Sequence, residues 1–237
     1  MRLETLTFCF GIISLMCGRY TLPLADTQDL EIRFELSNNI GFFEKTWNAA
    51  PSMMLPVITK NSPKSGRLMK WGYIPFWVQN FAEPKGKSLI NIRNDKLMTY
   101  PKRDFLATRC LIPFEGYYEW KKYTLEGKQA KAPYYFTLKQ GGISSFGGIY
   151  QVKKDAEGKE FYFFAIITTE PNSLQKPLHD RMPLIIDRKD EEEWLDTDKP
   201  LELVKPYDPE KMEVWRVPTL VSSFKNDGPQ LIEKIPD

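Results

Sequence analysis

Apolar, strand-forming stretches bounded by glycine, proline and short polar segments predict a series of β-strands along the chain. The clearest is the apolar run at residues 160–169, which we expect to be fully buried. Residues 54–59 and 212–217 predict one strand each. Residues 109–122 and 133–150 predict two strands each, the first pair meeting at a proline and glycine corner and the second at two adjacent glycines.

Three short helices are predicted where apolar residues recur at helical spacing or acidic residues cluster. The first covers residues 26–36 and is capped by Asp26 or Thr27. The second is amphipathic, runs from residue 95 to about residue 105 and is interrupted by a proline. The third is an acidic helix over residues 187–195 with a capping aspartate, and we interpret its charges as a solvent-exposed face.

An aromatic segment at residues 67–78 is predicted to begin as a strand and to end as a loop, because Gly72 and Pro75 interrupt the strand pattern. Trp71 stands in the strand part, and we expect it to belong to the core. Trp77 stands in the loop part, where an exposed ring can stack on a nucleic-acid base. Packing in the core is the alternative for these rings.

Composition is that of one soluble globular domain, with 42% hydrophobic and 27% charged residues among 237. The net charge is only +2, so any binding of nucleic acid has to come from a local basic patch. Three cysteines without paired spacing and one histidine provide neither a disulfide framework nor a zinc cluster. We therefore expect an intracellular protein without a metal. No membrane span is expected beyond the first fifteen residues.

The segment Met16–Tyr20 contains a cysteine, Cys17, directly after a methionine. Removal of the chain up to Met16 exposes the α-amine of Cys17 beside its thiol. This aminothiol condenses with an aldehyde, because the amine forms a Schiff base and the thiol then closes a thiazolidine ring. Roughly a tenth of such an amine is uncharged at neutral pH, and no cofactor is required. The alternative is that Cys17 is a small buried apolar residue.

Residues 1–15 are mostly apolar and are a poor match to a secretory signal. Glu4 interrupts the basic region, and Met16 is bulky where a small residue should precede the cleaved bond. We interpret residues 1–16 as an over-long start or as a leader that the protein itself removes.

Three further positions carry polar side chains suited to chemistry or binding. Asn91 and Arg93 stand two residues apart on a segment expected to be extended, which puts both side chains on one face. Glu119 is flanked by aromatic residues. The alternating pattern alone makes it solvent-facing, and the alternative is a desolvated carboxylic acid with a raised pKa, suited to proton transfer. His179 is either structural or a group whose ring charge its neighbours set.

The motifs MCGRY, WNAAPS, WGYIPFW, LINIRND, FEGYYEWKK, HDRMP and FKNDG resemble, in this order, those of the SOS response-associated peptidase family, also called abasic-site processing proteins. The resemblance implies an α+β fold over residues 17–237, a single compact domain of curled antiparallel strands with a few flanking helices. It implies that residues 1–16 are absent from the mature protein. It also implies a positively charged groove for single-stranded DNA and a cysteine that forms a thiazolidine with the aldehyde of an abasic site.

The resemblance implies eight functional positions. Those implied in catalysis are Cys17, Asn91, Glu119 and His179, and those implied in DNA binding are Arg19, Asn48, Trp77 and Arg93. Asn91 holds the amine or ring, Glu119 moves protons while the Schiff base forms, and His179 protonates the sugar oxygen and assists the reverse reaction. Where many members carry a second aromatic residue after the one at Trp77, this chain has Val78.

The implied protein is a monomer without metal or cofactor, cytoplasmic and DNA-associated, whose partner is single-stranded DNA containing abasic sites. Its implied activities are removal of its own leader and lyase-type chemistry in the DNA damage response. Two other interpretations stay open. The protein is a thiol peptidase that cleaves other chains, or it is a noncovalent single-stranded DNA-binding module in which Cys17 has no role.

Overall fold

β-Strands dominate the part of the chain that the computed structural model describes, residues 18–24, 26–60, 62–78, 80–81, 88–98 and 102–236. In chain order they are β1 (Tyr20–Leu22), β2 (Thr46–Ala49), β3 (Met54–Thr59), β4 (Ser62–Trp71), β5 (Asn91–Arg93), β6 (Arg109–Phe114), β7 (Gly116–Leu125), β8 (Lys128–Leu138), β9 (Ser144–Lys154), β10 (Glu160–Thr169), β11 (Met182–Pro183), β12 (Ile185–Ile186) and β13 (Met212–Arg216). Few helices flank these strands, and the predicted fold class is confirmed.

The predicted strands are present because each lies in an apolar run that ends at a turn, although β7, β8 and β9 extend beyond the predicted residues. The predictions at residues 54–59 and 160–169 coincide with β3 and β10. The pair predicted at residues 109–122 is β6 and β7, and the pair at residues 133–150 is β8 and β9, with Gly141 and Gly142 between them at positive φ. Glycine adopts this backbone conformation without steric cost.

The described strands form two sheets. The first has the order β13-β8-β7-β1-β2 and is antiparallel throughout. The second has the order β11-β10-β4-β3-β6-β9-β12. A further pairing of β10 with β9 closes five of its strands into a barrel, formed by β10, β4, β3, β6 and β9. Strand β10 is the exception to the antiparallel pattern, because it runs parallel to β4 and to β5. Closure leaves fewer exposed strand edges.

Aromatic rings fill the space between the two sheets. Tyr20 of β1 lies 5.2 Å from Trp71 and 5.8 Å from Phe146, measured between ring centroids. Phe146 in turn stacks on Phe114 at 3.7 Å. Trp71 is buried, as predicted, and its Nε1 donates a hydrogen bond to the Ile90 carbonyl at 2.9 Å. The start of β1 is thereby packed against the barrel.

The helices are α1 (Thr27–Phe34), α2 (Lys102–Ala107) and α3 (Glu191–Asp196). The prediction of α1 is confirmed: Asp26 caps it by accepting the Asp29 N–H, and Leu30 and Phe34 are its buried residues. None of the helices in the described part of the chain has the length and apolar character needed to cross a membrane.

Two helix predictions are wrong in detail. The single helix predicted at residues 95–105 is instead a 3₁₀ turn at Asn94–Lys96 followed by the separate α2, and residues 99–101 lie outside the described part. Pro101 lacks the N–H that a helix interior needs, which favours a helix start just after it.

The acidic segment at residues 187–195 also differs from its prediction. A 3₁₀ turn, Arg188–Asp190, precedes α3, and the main partner of the Asp187 carboxylate is Lys211 Nζ, which donates to it at 2.7 Å. Glu191 is buried, with both carboxylate oxygens within 3.0 Å of Arg33 Nη2 and Oε1 also accepting from the Ser145 hydroxyl at 2.7 Å. The charges of this segment therefore serve tertiary contacts and not only a solvated face.

Candidate functional site

The first described residues lead directly into the middle of a sheet. Strand β1 lies between β7 and β2, with Tyr20 opposite Tyr117 on one side and Ala49 on the other. The Tyr118 N–H donates to the Arg19 carbonyl at 3.0 Å, so the same register continues to Arg19. One residue further along, this register brings the buried Gly18 level with Glu119. Cys17, which precedes Gly18, lies outside the described residues.

Glu119 is buried, with 1% of its surface exposed. The prediction from alternation that it faces solvent is wrong, and its burial agrees with the desolvated alternative. Both faces of β7 are covered here, because Tyr117 packs in the main core and Tyr118 in a second apolar cluster. Alternation of apolar and polar residues is typical of a strand with one solvent-exposed face, and it does not apply where both faces are buried. The Trp120 N–H donates to Glu119 Oε1 at 3.3 Å.

The histidine loop is the segment 170–181 between β10 and β11, which carries His179. Gln175 joins this loop to β7, the strand that carries Glu119. The Tyr117 hydroxyl donates to Gln175 Oε1 at 3.0 Å, and Tyr117 lies two residues from Glu119 on the same face of β7. Gln175 Nε2 donates to the Arg181 carbonyl at 3.0 Å, and the His179 N–H donates to the Gln175 carbonyl at 2.9 Å. Gln175 is itself fully buried. The structure thus brings the loop of His179 to the face of Glu119.

The imidazole of His179 has only 8% of its side chain exposed. Its Nδ1 accepts the Arg181 N–H at 3.1 Å and also lies 3.1 Å from Asp180 Oδ1. One nitrogen cannot accept and donate in the same state. The backbone contact requires an unprotonated Nδ1 and puts the proton of the neutral ring on Nε2. The contact with Asp180 becomes an ion pair only in the charged ring, and it is weaker because Asp180 is 82% exposed.

Asn91 and Arg93 lie on β5, on either side of the buried Ile92. They pair with Ile166 and Thr168 of β10, in parallel register. Arg93 is exposed, and its Nε donates to Asp95 Oδ1 at 2.9 Å. This contact raises the pKa of Arg93, and the carboxylates of Asp180 and Glu170 add to the effect. Arg93 therefore lies close enough to the carboxylates of the histidine loop to interact with them electrostatically.

Sequence reasoning missed a polar network centred on the buried Arg181. Its Nη1 donates to Glu170 Oε1 at 3.1 Å, and its Nη2 donates to Asn94 Oδ1 and to the Thr168 carbonyl. Asn94 Nδ2 donates to the other oxygen of Glu170 at 3.0 Å. The pKa of Glu170 is lowered by its own backbone N–H first, then by Asn94 and Arg181. These contacts hold the histidine loop at the end of β5. Arg181 belongs to the motif HDRMP and Asn94 to the motif LINIRND.

Asn48 is 3% exposed and lies beneath the C-terminal loop. Its Nδ2 donates to the carbonyls of Val221, Ser223 and Asn226 at 3.4, 3.0 and 2.8 Å. The loop is held further by Asp227, whose Oδ1 accepts the N–H of Trp47 at 2.7 Å. The amide nitrogen of Asn48 is thus occupied by protein carbonyls, and its side chain shapes residues 221–226. The motif FKNDG forms part of this loop. Nothing in the sequence linked that motif to Asn48.

The other two positions implied in DNA binding differ in exposure. Arg19 is half-buried, burial lowers the pKa of its guanidinium, and its Nη1 donates to the Gly18 carbonyl at 3.1 Å. Its backbone carbonyl accepts the N–H of Tyr118, the residue before Glu119 on β7. Trp77 is exposed on the loop after β4, as predicted.

These features define a β-barrel-like domain in which the buried carboxylate of Glu119 on β7 lies level with Gly18, just before β1, and the histidine loop is held to the same face of β7 through Gln175. The chain belongs to the SOS response associated peptidase (SRAP) family, whose model matches residues 16–224. The resemblance stated from the motifs is confirmed.

Relatives of similar length extend this comparison. The abasic site processing protein YoqW of Bacillus subtilis is 36% identical over 228 residues, covering 92% of this chain and 99% of that protein. The abasic site processing protein YoaM of the same organism is 35% identical, covering 92% of this chain and 98% of that protein. A crystal structure of a protein from Bacteroides thetaiotaomicron covers 93% of this chain and all of that chain, with a TM-score of 0.80 and 27% identity.

Proposed function

We propose that this protein processes abasic sites in DNA and does so by forming a covalent bond between Cys17 and the lesion. The names of its relatives support the general function. The observation that supports the covalent mechanism best is Glu119, a buried carboxylate level with Gly18, the residue that follows Cys17. A carboxyl group in such a position is suited to moving protons beside a nucleophile.

The proposed chemistry joins an aminothiol to the ring-opened sugar. The α-amine of Cys17 attacks the aldehyde carbon, and loss of one water gives a Schiff base. The thiol then adds to the same carbon, its proton passes to the nitrogen, and a five-membered thiazolidine closes. No oxidant or reductant takes part, since the carbon exchanges a C–O double bond for one C–N and one C–S bond.

Two side chains are proposed to move the protons. Glu119 protonates the departing water and accepts a proton from the amine, while the Asn91 amide holds the amine without changing charge. His179, with its proton on Nε2 when Nδ1 accepts the Arg181 N–H, donates to the sugar oxygen as the ring opens. The same group takes that proton back when the crosslink reverses.

Cys17 is the proposed nucleophile, and residues 1–16 are proposed to be absent from the mature protein. The family match that begins at residue 16 supports this boundary. Cys110 is a poor competitor, because its thiol is completely buried and burial raises its pKa well above the usual range. We restrict peptidase activity to removal of the protein's own leader.

The test is a denaturing gel with an end-labelled single strand that carries one abasic site. Wild-type protein is expected to give a band that survives heat and detergent, and Cys17→Ser is expected to give none. Cys110→Ala is the matched control and should crosslink like wild type. A stable band with Cys17→Ser would overturn the mechanism, and a reversible complex in every variant would favour the noncovalent module.

The mass of the purified protein tests the proposed boundary separately. Protein that crosslinks normally is expected to begin at Cys17. Retention of residues 1–16 in such protein contradicts the aminothiol mechanism, because an internal cysteine has no free α-amine. Hydrolysis of unrelated peptides that depends on Cys17 would instead favour a peptidase acting on other chains.

A further inference from the structure

Phe76 and Trp77 occupy the tip of a tight turn in the loop after β4. The Val78 N–H donates to the Pro75 carbonyl at 3.0 Å, which makes Phe76 and Trp77 the two central residues of a β-turn. Their side chains are 70% and 59% exposed. Two adjacent large rings at one turn tip form an exposed apolar patch of the kind that marks a binding site.

The turn is held in place by the residues on either side of it. Ile74 and Val78 are buried together with Phe163 in a small apolar cluster. Gln151 Nε2, from the barrel, donates to the Ile74 carbonyl at 3.0 Å. Val78 therefore belongs to the anchor of the loop and not to its surface, whereas Phe76 points its ring into solvent. A rigid base reduces the entropy that the two rings lose on binding a ligand.

The root of this loop lies beside the strand that carries Asn91 and Arg93. Tyr73 pairs with Leu89, and each donates its N–H to the carbonyl of the other, at 2.9 and 2.8 Å. Leu89 is two residues before Asn91. The turn tip thus projects from the same part of the fold as β5 and its exposed guanidinium, which is where a phosphate chain can be neutralised.

We propose that Phe76 provides the second aromatic surface for unpaired bases, in place of an aromatic residue at position 78. The ring centroids of Phe76 and Trp77 are 5.1 Å apart and their planes meet at 83°. In this edge-to-face arrangement both rings stay largely exposed, 70% for Phe76 and 59% for Trp77, so a base can reach them. Stacking on aromatic faces accepts any base sequence. This assignment rests on the proposed function, since it takes single-stranded DNA as the ligand.

The experiment measures equilibrium binding of an undamaged, mixed-sequence single strand that contains 2-aminopurine, whose fluorescence falls when it stacks. Undamaged DNA offers no aldehyde, so covalent chemistry does not contribute. Phe76→Ala and Phe76→Leu are each expected to weaken binding by about 5- to 150-fold, the range of one base–aromatic stack, and to reduce the quenching. Phe76→Tyr keeps the ring and should bind within about twofold of wild type.

Phe42→Ala is the matched control, because Phe42 is 84% exposed on the loop between α1 and β2. It should bind like wild type, and thermal unfolding should show that all variants fold. Binding by Phe76→Leu within twofold of wild type would overturn the proposal, as would an equal loss in Phe42→Ala.

The crosslinking gel separates this inference from the proposed function. If wild type crosslinks abasic DNA but Phe76→Leu binds normally, the inference fails and the proposed function stands. If Phe76→Leu weakens binding but wild type never crosslinks, the covalent mechanism fails and the aromatic surface stands.

Discussion

Tyr20 carries a hydroxyl group deep between the two sheets. No hydrogen-bond partner for this oxygen exists among the described residues, and burial raises the pKa of the phenol well above its usual range. A buried polar atom without a partner destabilises the folded state, because it loses its bond to water. The ring itself packs well, against Trp71 and Phe146. The hydroxyl and the ring of one residue thus act on stability in opposite directions.

Tyr20→Phe is therefore expected to raise the free energy of unfolding by about 1 kcal/mol at pH 7. The gain should grow by about 1.4 kcal/mol at pH 11, because the unfolded phenol ionises above about pH 10 and the folded one does not. The unfolded state then binds fewer protons, so wild-type stability falls as pH rises. Urea unfolding at both pH values checks this. Tyr123→Phe, on a partly exposed ring, should leave stability at pH 7 unchanged, and a loss of stability in Tyr20→Phe contradicts the account.

Glu119 and His179 are expected to have unequal effects on the crosslink. Glu119→Gln should slow its formation by about 10² to 10⁴, the range of a positioned acid or base. His179→Ala should slow formation and also prolong the crosslink, since ring opening and its reversal share one transition state. Time courses of formation and release on an abasic oligonucleotide measure both. Wild-type rates in both variants would make the two residues structural.

At the level of elements, α1 and α3 are joined by one charged pair. Arg33 Nη2 lies 2.8 Å from Glu191 Oε1, and the side chains are only 12% and 9% exposed. Arg33 also donates to the Ile143 carbonyl at 3.3 Å. The two residues are separated by 158 positions in sequence. Such a contact fixes how two helices sit on the barrel, although each helix is too short to be stable alone.

Removal of one partner should destabilise the protein strongly, because it leaves a buried charge without compensation. Glu191→Gln is expected to lower the free energy of unfolding by about 3 kcal/mol. Combining it with Arg33→Met should restore part of that loss, measured by urea unfolding as a double-mutant cycle. Glu202→Gln, at an exposed pair with Lys199, is the control and should have no measurable effect. Additive effects of the two substitutions would contradict a coupled pair.

On the scale of the whole molecule, charge is nearly balanced, with a net value of +2. The proposed binding to single-stranded DNA is therefore expected to depend on a few local cations. Arg93 is already paired with Asp95, and Arg19 is half-buried. For the proposed DNA binding we therefore expect an electrostatic part of the affinity that is small compared with that of strongly basic DNA-binding proteins, and a larger share from aromatic stacking.

Binding of undamaged single-stranded DNA is expected to weaken with salt only moderately. Two phosphate contacts predict a slope of about −1.4 in log affinity against log salt. Duplex DNA should bind less well, because its base faces are already stacked on each other. Fluorescence anisotropy over a range of salt concentrations measures both. A slope steeper than about −4, or equal affinity for duplex and single strand, would contradict this description.

Local pattern was sufficient wherever one stretch of chain decides its own structure. The bounds of β3 and β10, the capped start of α1 and the contrast between buried Trp71 and exposed Trp77 follow from apolar runs, turn residues and a capping aspartate. The motifs also identified the family. Each of these signals is contained within about ten neighbouring residues, and such signals survive in almost any tertiary setting.

Contacts between distant segments decided the rest. Glu119 is buried because it lies on the face of β7 that Tyr117 packs into the main core, while Tyr118 packs in a second apolar cluster on the opposite face. Asn48 lies under a loop more than 170 positions away, and Arg181 meets Asn94 across 87. No local sequence pattern predicts these long-range contacts, because they depend on which strands pair to close the barrel. The sequence determined the secondary-structure elements and the reactive side chains available. The tertiary structure decided which side chains became buried and which came into contact, since burial depends on what packs on both faces of a strand.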